Sequence, residues 1–501
     1  QQEGLSKTSQ IDWSQRFLEK GYVTPKLIQL YYEVYNTTAS PLVSQGILES
    51  LGEALDPSDL TLFQQYFGLL VQPVSQVIGG HVQIGACSSS NFSGCAESNL
   101  DVQYVMAMAQ NVPTIYWYVP DRNNFIDWMD FVTVAASSAN PADVYSISYT
   151  TYEYGFSAST AKAFNTEAIK LGVMGSTIVA ASGDDGVVGF LARQGASNCG
   201  YFPQYPASSP YVTAIGGTTG IENDLPEIAC QSVAKVGPSI TTGGGFSNLY
   251  AMPKFQKQHV DDYFNLVNNT YKKPFFNATA SARIPALGGN RYKYGYFNRS
   301  GRAYPDVSLF ASNYYVFMGL QNGGVDGTSA SAPVMAAFIN LVNYRRVLQG
   351  NSTMGWINPF LYKRASMFVN DITVGRNNCS ALYNNHQSKT CCRQGFYATP
   401  GWDPLTGLGS VNFRRFLNAA TGLVLTPSPT QTPTKSPVAS PTSILSTSSV
   451  HGFQFFDGAY AGIAIGGALF LLFLGGLLYC IRTRCCLKNT KKTAKVMSVV
   501  P

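Results

Sequence analysis

Histidine is scarce in this sequence. The 501 residues include four histidines, and none of them stands in a His-Gly-Thr-His sequence: His81, His259, His386 and His451. A hydrolase that activates a serine through an imidazole needs a histidine beside that serine in the fold. The scarcity therefore argues against a serine–histidine–aspartate triad, and His81 is kept as the alternative imidazole base.

Charge is also sparse, and its distribution excludes one class of partner. Charged residues make up 12% of the chain, with 34 basic against 28 acidic side chains and a formal net charge of +6. The tail, residues 482–501, accounts for that excess because it has six basic residues and no acid: Arg482, Arg484, Lys488, Lys491, Lys492 and Lys495. No basic surface remains for a nucleic acid, so none is predicted as a partner, and the tail suits an anionic lipid surface.

A long uncharged run precedes that tail. Residues 458–481 are 24 residues without a charge, which is long enough to cross a bilayer as a helix. A buried core helix is the alternative. The positive tail predicts a single-pass protein with residues 482–501 in the cytosol and the larger part lumenal or extracellular. Residues 426–457, rich in proline, serine and threonine, are predicted to form an extended stalk.

Cysteines and glycosylation sequons agree with that orientation. Seven of the ten cysteines precede the uncharged run, and an oxidising compartment favours disulfides. Local spacing predicts the pairs Cys87–Cys95 and Cys199–Cys230, and Cys379 with Cys391 or Cys392, although connectivity is not determined by sequence. Seven Asn-x-Ser/Thr sequons lie on the same side, at Asn36, Asn91, Asn268, Asn277, Asn298, Asn351 and Asn378.

The most informative motif runs from Gly327 through Ser329 to Pro333, in front of the largely apolar residues 334–347. A serine in the first turn of a buried helix, behind a glycine that admits a substrate backbone, is a typical arrangement for a nucleophile. The helix N-terminus stabilises negative charge that develops beside it. A plain N-terminal helix residue is the alternative for Ser329.

Three carboxylates are candidates to act on that serine in place of histidine. Glu97 and Asp101 are four residues apart in a predicted helix from residue 95 to about residue 110, so they share one face. Two neighbouring carboxylates do not both ionise freely, so Glu97 is predicted to be the base and Asp101 its partner. Asp184 ends a buried strand, and as a neutral acid it would donate to an oxyanion. The alternative for Glu97 and Asp101 is a solvated charged helix face, and the alternative for Asp184 is an aspartate that only shapes a turn.

The alternation of strand-like and helical segments along the chain predicts an α/β fold. Strand-like runs at residues 114–119, 144–148 and 177–181 alternate with helical stretches at 124–138 and 157–174. This pattern indicates one large domain with a parallel sheet covered by helices on both faces.

These motifs together resemble the sedolisin family, the serine-carboxyl peptidases. Glu97-x-x-x-Asp101, Ser182-Gly183-Asp184 and Gly327-Thr328-Ser329 occur in the family's order, and residues 206–213, 243–248 and 301–307 are similar as well. The resemblance covers residues 21–423 and implies a subtilisin-like fold. It also implies a peptidase active at acid pH, with Ser329 as nucleophile, Glu97 as base, Asp101 as its partner and Asp184 at the oxyanion.

The resemblance is strongest to family members that release N-terminal tripeptides from peptides. That activity, through an acyl-enzyme, is therefore expected in an acidic lysosome- or vacuole-like lumen or outside the cell. An endopeptidase using the same site and a catalytically silent adhesion or receptor ectodomain are the alternatives. Residues 23–425 are predicted to be the peptidase domain. Residues 1–22 precede the family's usual mature start and are expected to be a processed segment, since they lack the features of a signal peptide.

A structural calcium ion is also implied by the resemblance. The ligands would be the carboxylates of Asp371 and Asp403 and the backbone carbonyls of Ile372, Thr399 and Gly401. All are hard oxygen donors, which suit calcium and its roughly 6–8 ligands. An Asp-Pro turn without an ion is the alternative.

Three positions depart from the family pattern. Asp185 stands where a serine is usual, and Asp326 where a small residue is usual. Extra carboxylates would make Asp184 hold its proton more tightly, so activity is expected to extend closer to neutral pH. Thr150 replaces a glycine on the predicted substrate-pairing strand, which leaves the subsite preferences open.

Overall fold

The computed structural model describes residues 19–88, 92, 94–121, 126–233, 237–270, 297–383, 388–393 and 395–422. The predicted stalk, membrane helix and basic tail lie outside these residues, as do residues 1–18 of the predicted processed segment. Within the described ranges, no helix combines the length and the apolar character that a membrane span requires.

Five helices in the described part of the chain begin after a residue whose side chain accepts a capping hydrogen bond. The α5 helix starts after Ser157, which accepts a hydrogen bond from the Thr160 N–H, and ends at Gly175 with φ of 99°, the usual αL stop. The helices are α1 (Pro25–Tyr31), α2 (Pro57–Tyr66), α3 (Ala96–Met108), α4 (Trp128–Ser137), α5 (Ala158–Met174), α6 (Lys257–Thr270), α7 (Thr328–Leu348), α8 (Asn358–Arg364) and α9 (Phe413–Thr421).

The strands are β1 (Gln45–Glu49), β2 (Gln76–Ile78), β3 (Thr114–Tyr118), β4 (Val144–Ile147), β5 (Thr151–Tyr152), β6 (Thr177–Ala181), β7 (Gln204–Tyr205), β8 (Thr213–Thr219), β9 (Ile228–Ala229), β10 (Gly245–Ala251), β11 (Gly301–Tyr304), β12 (Val307–Phe310), β13 (Tyr314–Met318), β14 (Gln321–Val325), β15 (Val369–Asn370) and β16 (Ser410–Val411).

One large sheet organises the molecule. Its order is β15-β16-β12-β8-β6-β4-β1-β3-β2, with β9 beside β8. The pairs from β2 through β16 are parallel, and β15 and β9 pair antiparallel at the margins. The predicted parallel α/β sheet is therefore confirmed.

The two faces of the sheet bury separate cores. On β1, Ile47 packs into the core that contains α3 and α7, whereas Leu48 packs into the core that contains α4 and α5. Val144 and Tyr145 of β4 divide in the same way, as the alternation of side chains along a strand requires. Helices therefore cover both faces, as predicted.

The cysteine pairing differs from the prediction at one bond. Cys87–Cys95 is confirmed, and Cys379 pairs with Cys391. The predicted Cys199–Cys230 bond is wrong, because Cys199 pairs with Cys392 and Cys230 is a buried free thiol. Cys230 packs against Ile240, Ala311 and Ala381. Spacing along the chain does not report this bond because its partners are 193 residues apart.

The sequons differ in their exposure. Asn36, Asn298 and Asn351 have exposed side chains. Asn378 is 9% exposed, and its amide donates to the Cys392 carbonyl at 2.9 Å. The folded domain therefore presents the first three for modification and withholds Asn378. Asn91 and Asn277, and the side chain of Asn268, lie outside the described residues.

Candidate active site

Ser329 lies in the first turn of α7, and a glycine keeps the space in front of it open. A Cβ at Gly327 would contact Ser329 Oγ and would lie 3.5 Å from Asp184 Oδ2. The Gly327 φ of 169° is ordinary extended backbone, so the requirement for glycine comes from space. The gap between the serine and the aspartate is where the oxygen of an attacked carbonyl would lie.

A proline inside α7 frees the carbonyl of the same serine. Pro333 has no N–H, so it makes no i→i−4 hydrogen bond to Ser329. The Ser329 carbonyl lies 3.2 Å from Ser148 Oγ, which itself lies 2.6 Å from Asp101 Oδ2. Ser148 follows β4, so it connects the sheet, α3 and α7. If Asp101 is protonated, its carboxyl donates a hydrogen bond to Ser148 Oγ. The Ser148 hydroxyl then donates its own hydrogen to the Ser329 carbonyl.

Glu97 and Asp101 lie on one face of α3 as predicted from their spacing. The Ser329 hydroxyl lies beside the Glu97 carboxyl and opposes the rise that burial causes in the pKa of Glu97. Glu97 is partly exposed, whereas Ser329 is 6% and Asp101 is 0% exposed. Glu97 Oε1 and Asp101 Oδ1 are buried atoms without a donor in the described structure. A single proton shared by the two carboxyls would satisfy both atoms, as expected for close acids.

Two further glutamates, which sequence reasoning missed, join this pair. Glu49 ends β1, is 0% exposed, and accepts from Ser98 Oγ and Tyr149 Oη at 2.9 Å. Glu53 follows in the next loop and accepts the Glu97 N–H at 2.7 Å. The only signal for Glu49 in the sequence is a carboxylate that closes a buried strand, at the edge where parallel sheets place their chemistry; Glu53 has none.

Burial raises the pKa of every acid in this cluster. It raises the pKa of Glu49 to about 8 and that of Glu53 to about 7. Burial, reinforced by the charges of Glu53 and Glu49, raises the pKa of Glu97 well above its usual range. Burial and the charge of Glu49 do the same for Asp101. The cluster therefore keeps protons into weakly acidic solution.

Asp184 lies across the gap from Glu97, and α7 orients it. Its Oδ1 accepts from the Thr328 N–H at 2.8 Å and the Thr328 hydroxyl at 2.9 Å. Because Oδ1 is occupied as an acceptor, the proton of the neutral acid belongs on Oδ2, the atom facing Gly327. Burial raises the pKa of Asp184 to about 6, and the bonds from Thr328 oppose that rise.

The two extra carboxylates act less on Asp184 than the sequence predicted. Asp185 forms a bidentate pair with Arg193, with both bonds at 2.7 Å, and the positive charge of Arg193 opposes its effect on the pKa of Asp184. Asp326 instead accepts the backbone N–H groups of Ser239 and Asn313 at 2.7 and 2.5 Å. Burial, rather than the extra carboxylates, is the main reason that Asp184 holds its proton.

Thr150 faces a glutamine across the end of the cleft. Its hydroxyl donates to Gln204 Oε1 at 3.3 Å, and a Cβ at Gly183 would lie 3.1 Å from Gln204 Cγ and 3.7 Å from Thr150 Oγ1. Thr150 and Gln204 therefore occupy space between the segments that follow β4 and β6, where the expected glycine would leave room.

The two described histidines are engaged elsewhere. His81 is exposed and its ring stacks on Tyr118 with centroids 3.4 Å apart. His259 packs edge-on against Tyr362 at 5.3 Å. His386 and His451 lie outside the described residues. In the described structure, the acid whose pKa responds to the Ser329 hydroxyl is Glu97.

The predicted calcium ligands converge on one loop. Asp371 Oδ2 accepts the Gly401 N–H at 2.9 Å, and Asp403 Oδ2 accepts the Thr399 N–H at 3.1 Å. Within the described ranges, no group donates a hydrogen bond to the carbonyl oxygens of Ile372, Thr399 or Gly401, and Thr399 Oγ1 is buried without a partner. Unused oxygens beside two carboxylates fit a hard cation.

Comparisons with known proteins agree with this geometry. The subtilase family profile matches residues 109–348. Tripeptidyl-peptidase 1 of Dictyostelium discoideum is 33% identical over 406 residues, which cover 78% of this chain and 57% of that protein. Tripeptidyl-peptidase sed1 of Aspergillus fumigatus is 31% identical over 442 residues, which cover 79% and 64%. The chain thus spans about three-fifths of the length of these relatives.

A solved structure supports the same fold. The serine-carboxyl proteinase sedolisin from Pseudomonas, complexed with pseudo-iodotyrostatin, superposes with a TM-score of 0.56 at 21% identity, covering 79% of this chain and 97% of that one. The fold, the relatives and the residues gathered around Ser329 lead to one conclusion: the chain has a subtilisin-like fold and is similar to tripeptidyl-peptidases and to a sedolisin.

Proposed function

We propose that this protein is a serine-carboxyl peptidase that releases N-terminal tripeptides from peptides at acid pH through an acyl-enzyme. The observation that carries the proposal is the Ser329 hydroxyl beside the Glu97 carboxyl, within a cluster of buried carboxyl groups. The tripeptide specificity is supported by relatives named tripeptidyl-peptidases. Ser329, Glu97 and Asp184 lie around one gap, and Asp101 contacts Ser148 behind it, which disfavours a catalytically silent ectodomain.

Acylation uses the gap between Ser329 and Asp184. Ser329 Oγ attacks the scissile carbonyl carbon while Glu97 takes the hydroxyl proton, and the carbonyl electrons move onto the oxygen. Neutral Asp184 donates a hydrogen bond to that oxyanion from Oδ2. As the intermediate collapses, the C–N bond breaks, Glu97 returns the proton to the departing amine nitrogen, and the acyl group stays on Ser329.

Deacylation repeats these steps with water. Glu97 takes a proton from the attacking water, Asp184 again donates to the oxyanion, and the ester bond to Ser329 breaks as the serine regains its proton. Asp101 positions Glu97 and shares its charge. The cycle needs one negative charge on the Glu97–Asp101 pair and a proton on Asp184, so activity is expected below about pH 6, where Asp184 is neutral.

The test compares three peptides with the full chain at pH 4–5. One is a tripeptide with a free amine and a C-terminal fluorophore amide, the second is its acetylated form, and the third is a longer amino-blocked, internally quenched peptide. The free-amine substrate is expected to be cleaved and the blocked ones spared. Equal cleavage of blocked peptides would establish the endopeptidase alternative. Equal turnover by wild type and Ser329→Ala would remove the peptidase assignment.

We propose calcium as a structural ligand held by Asp371, Asp403 and the three carbonyls. Calcium at about 100 times its Kd adds about 2.7 kcal/mol to the free energy of unfolding, which corresponds to about 3 °C in Tm for a domain of this size. Chelation is expected to lower the wild-type Tm accordingly and to leave Asp371→Asn unchanged. Asp261→Asn, a surface control, should behave as wild type. If chelation lowered the Tm of Asp371→Asn as much as that of wild type, the proposed calcium site would be contradicted.

The proposed location is a single-pass membrane protein with residues 23–425 in an acidic lumen or outside the cell. Three disulfides in the described domain and the exposed sequons fit an oxidising compartment. The uncharged residues 458–481 with the basic residues after them support the orientation.

A further inference from the structure

The first turn of α3, which carries Glu97, has no side-chain cap of its own. The N-cap residue is Cys95, whose side chain makes no capping hydrogen bond because its sulfur is bonded to Cys87. The first N–H groups of a helix need acceptors from outside it. Glu53 supplies one of them, since its carboxylate accepts from the Glu97 N–H at 2.7 Å, whereas the Ala96 N–H donates to the Phe92 carbonyl at 3.1 Å.

The backbone around Glu53 holds this carboxylate in place. The Glu53 N–H donates to the Ser50 carbonyl at 3.3 Å, and the Ala54 N–H donates to the Gly94 carbonyl at 2.8 Å. Tyr116 of β3 donates to the Glu53 carbonyl at 3.4 Å. The loop after β1 is therefore joined both to β3 and to the segment entering α3, so its glutamate is positioned by backbone contacts on two sides.

Glu53 also adds a competing charge to the catalytic cluster. The groups that face Glu97 are Glu49 from β1, Glu53 from the loop, Asp101 from α3, Ser329 from α7 and Asp184 after β6, and Tyr149 lies beside Glu49. None of these carries a positive charge, so two anions in this volume repel strongly. The helix N–H groups favour a negative charge on Glu53.

We propose that Glu53 is a positioning residue for the catalytic base: it anchors the first turn of α3 and, through its own charge, sets the pH at which Glu97 becomes available to take the Ser329 proton. This inference rests on the peptidase function proposed above. When Glu53 holds the negative charge of the cluster, Glu97 keeps its proton. When Glu53 is neutral, Glu97 ionises more readily.

Glu53→Gln separates charge from position. Glutamine keeps an oxygen that accepts the helix N–H groups but never ionises, so Glu97 should lose its proton at lower pH. The acid limb of the kcat/KM profile is expected to move down by about one pH unit, while the alkaline limb stays in place because Asp184 determines it. Glu53→Asp keeps the charge and shortens the reach, so it should lower Tm while its acid limb moves less.

A second readout does not depend on activity. Because the folded-state pKa of Glu53 is raised to about 7, stability is lost as pH rises from its unfolded value, near 4.3, through about 7. The Tm of wild type is therefore expected to fall more between pH 5 and 8 than that of Glu53→Gln. Glu167→Gln, which changes an acid on α5 that pairs with Lys170, should change neither readout.

Superimposable rate profiles and equal slopes of Tm against pH in wild type and Glu53→Gln would overturn the inference. If wild type cleaves no peptide, the proposed function fails, and the Tm series alone still decides whether Glu53 carries charge in the cluster.

Discussion

Replacing Glu97 by glutamine is expected to lower kcat/KM for a peptide substrate by about 10³- to 10⁴-fold. Glutamine has nearly the same shape, but its amide does not take the proton of the Ser329 hydroxyl. Glutamine keeps a side-chain oxygen beside that hydroxyl, and the backbone N–H bound by Glu53 is unchanged. The loss should therefore fall on kcat, with KM nearly unchanged, in steady-state kinetics at pH 4–5.

Two further variants serve as comparisons for the activity of Glu97→Gln. Glu167→Gln removes an acid on α5 that pairs with Lys170 and should retain full activity. Asp101→Asn keeps the contact with Ser148 but removes the partner that shares the charge of Glu97, so it should lose less activity than Glu97→Gln. Activity of Glu97→Gln within about tenfold of wild type would show that another group accepts the serine proton.

Replacing Asp184 by alanine is expected to lower kcat by about 10²- to 10³-fold, because the oxyanion loses its donor. Asp184→Asn should lose less, since its Oδ1 still accepts from Thr328 while its Nδ2–H donates in place of Oδ2–H. Wild-type activity should be present below pH 6 and be lost as pH rises through about 6, the raised pKa of Asp184. The amide does not titrate, so Asp184→Asn should lack this alkaline limb.

The ion pair between Arg193 and Asp185 provides a control, because removing either partner should shift the pKa of Asp184 in a known direction. Arg193→Gln leaves the Asp185 charge unpaired, which raises the pKa of Asp184 and moves the alkaline limb up. Asp185→Ser leaves Arg193 unpaired, which lowers that pKa and moves the limb down, in each case by roughly half a unit. An alkaline limb that persists in Asp184→Asn would contradict the role of this acid.

The sequence was most informative where the signal is local. The strand Thr177–Ala181 and the spacing of Glu97 and Asp101 are periodic features, and each occurs as predicted. The approach of Ser329, Asp184 and Glu97 follows from packing, because α3 and α7 share one core on the same face of the sheet and Thr328 of α7 donates to Asp184, which follows β6.

Contacts between distant segments were not accessible in the same way. The loop that brings Glu53 to α3 is 44 residues away in sequence, and its glutamate follows no periodic pattern. Arg193 lies in a short 3₁₀ helix, Phe190–Gln194, that no pattern in the sequence predicted, so its pairing with Asp185 had no signal. The Cys199–Cys392 bond was missed because Cys391 and Cys392 are adjacent in sequence and pair with different cysteines.

The central claim is that acids, with no imidazole, activate Ser329, and the four histidines of the chain allow a direct measurement. A variant with His81, His259, His386 and His451 all replaced by glutamine should show the wild-type profile of kcat/KM against pH on the free-amine tripeptide substrate. Its Tm serves as the folding control. Loss of activity from a folded, histidine-free chain, with Glu97→Gln still active, would contradict the account.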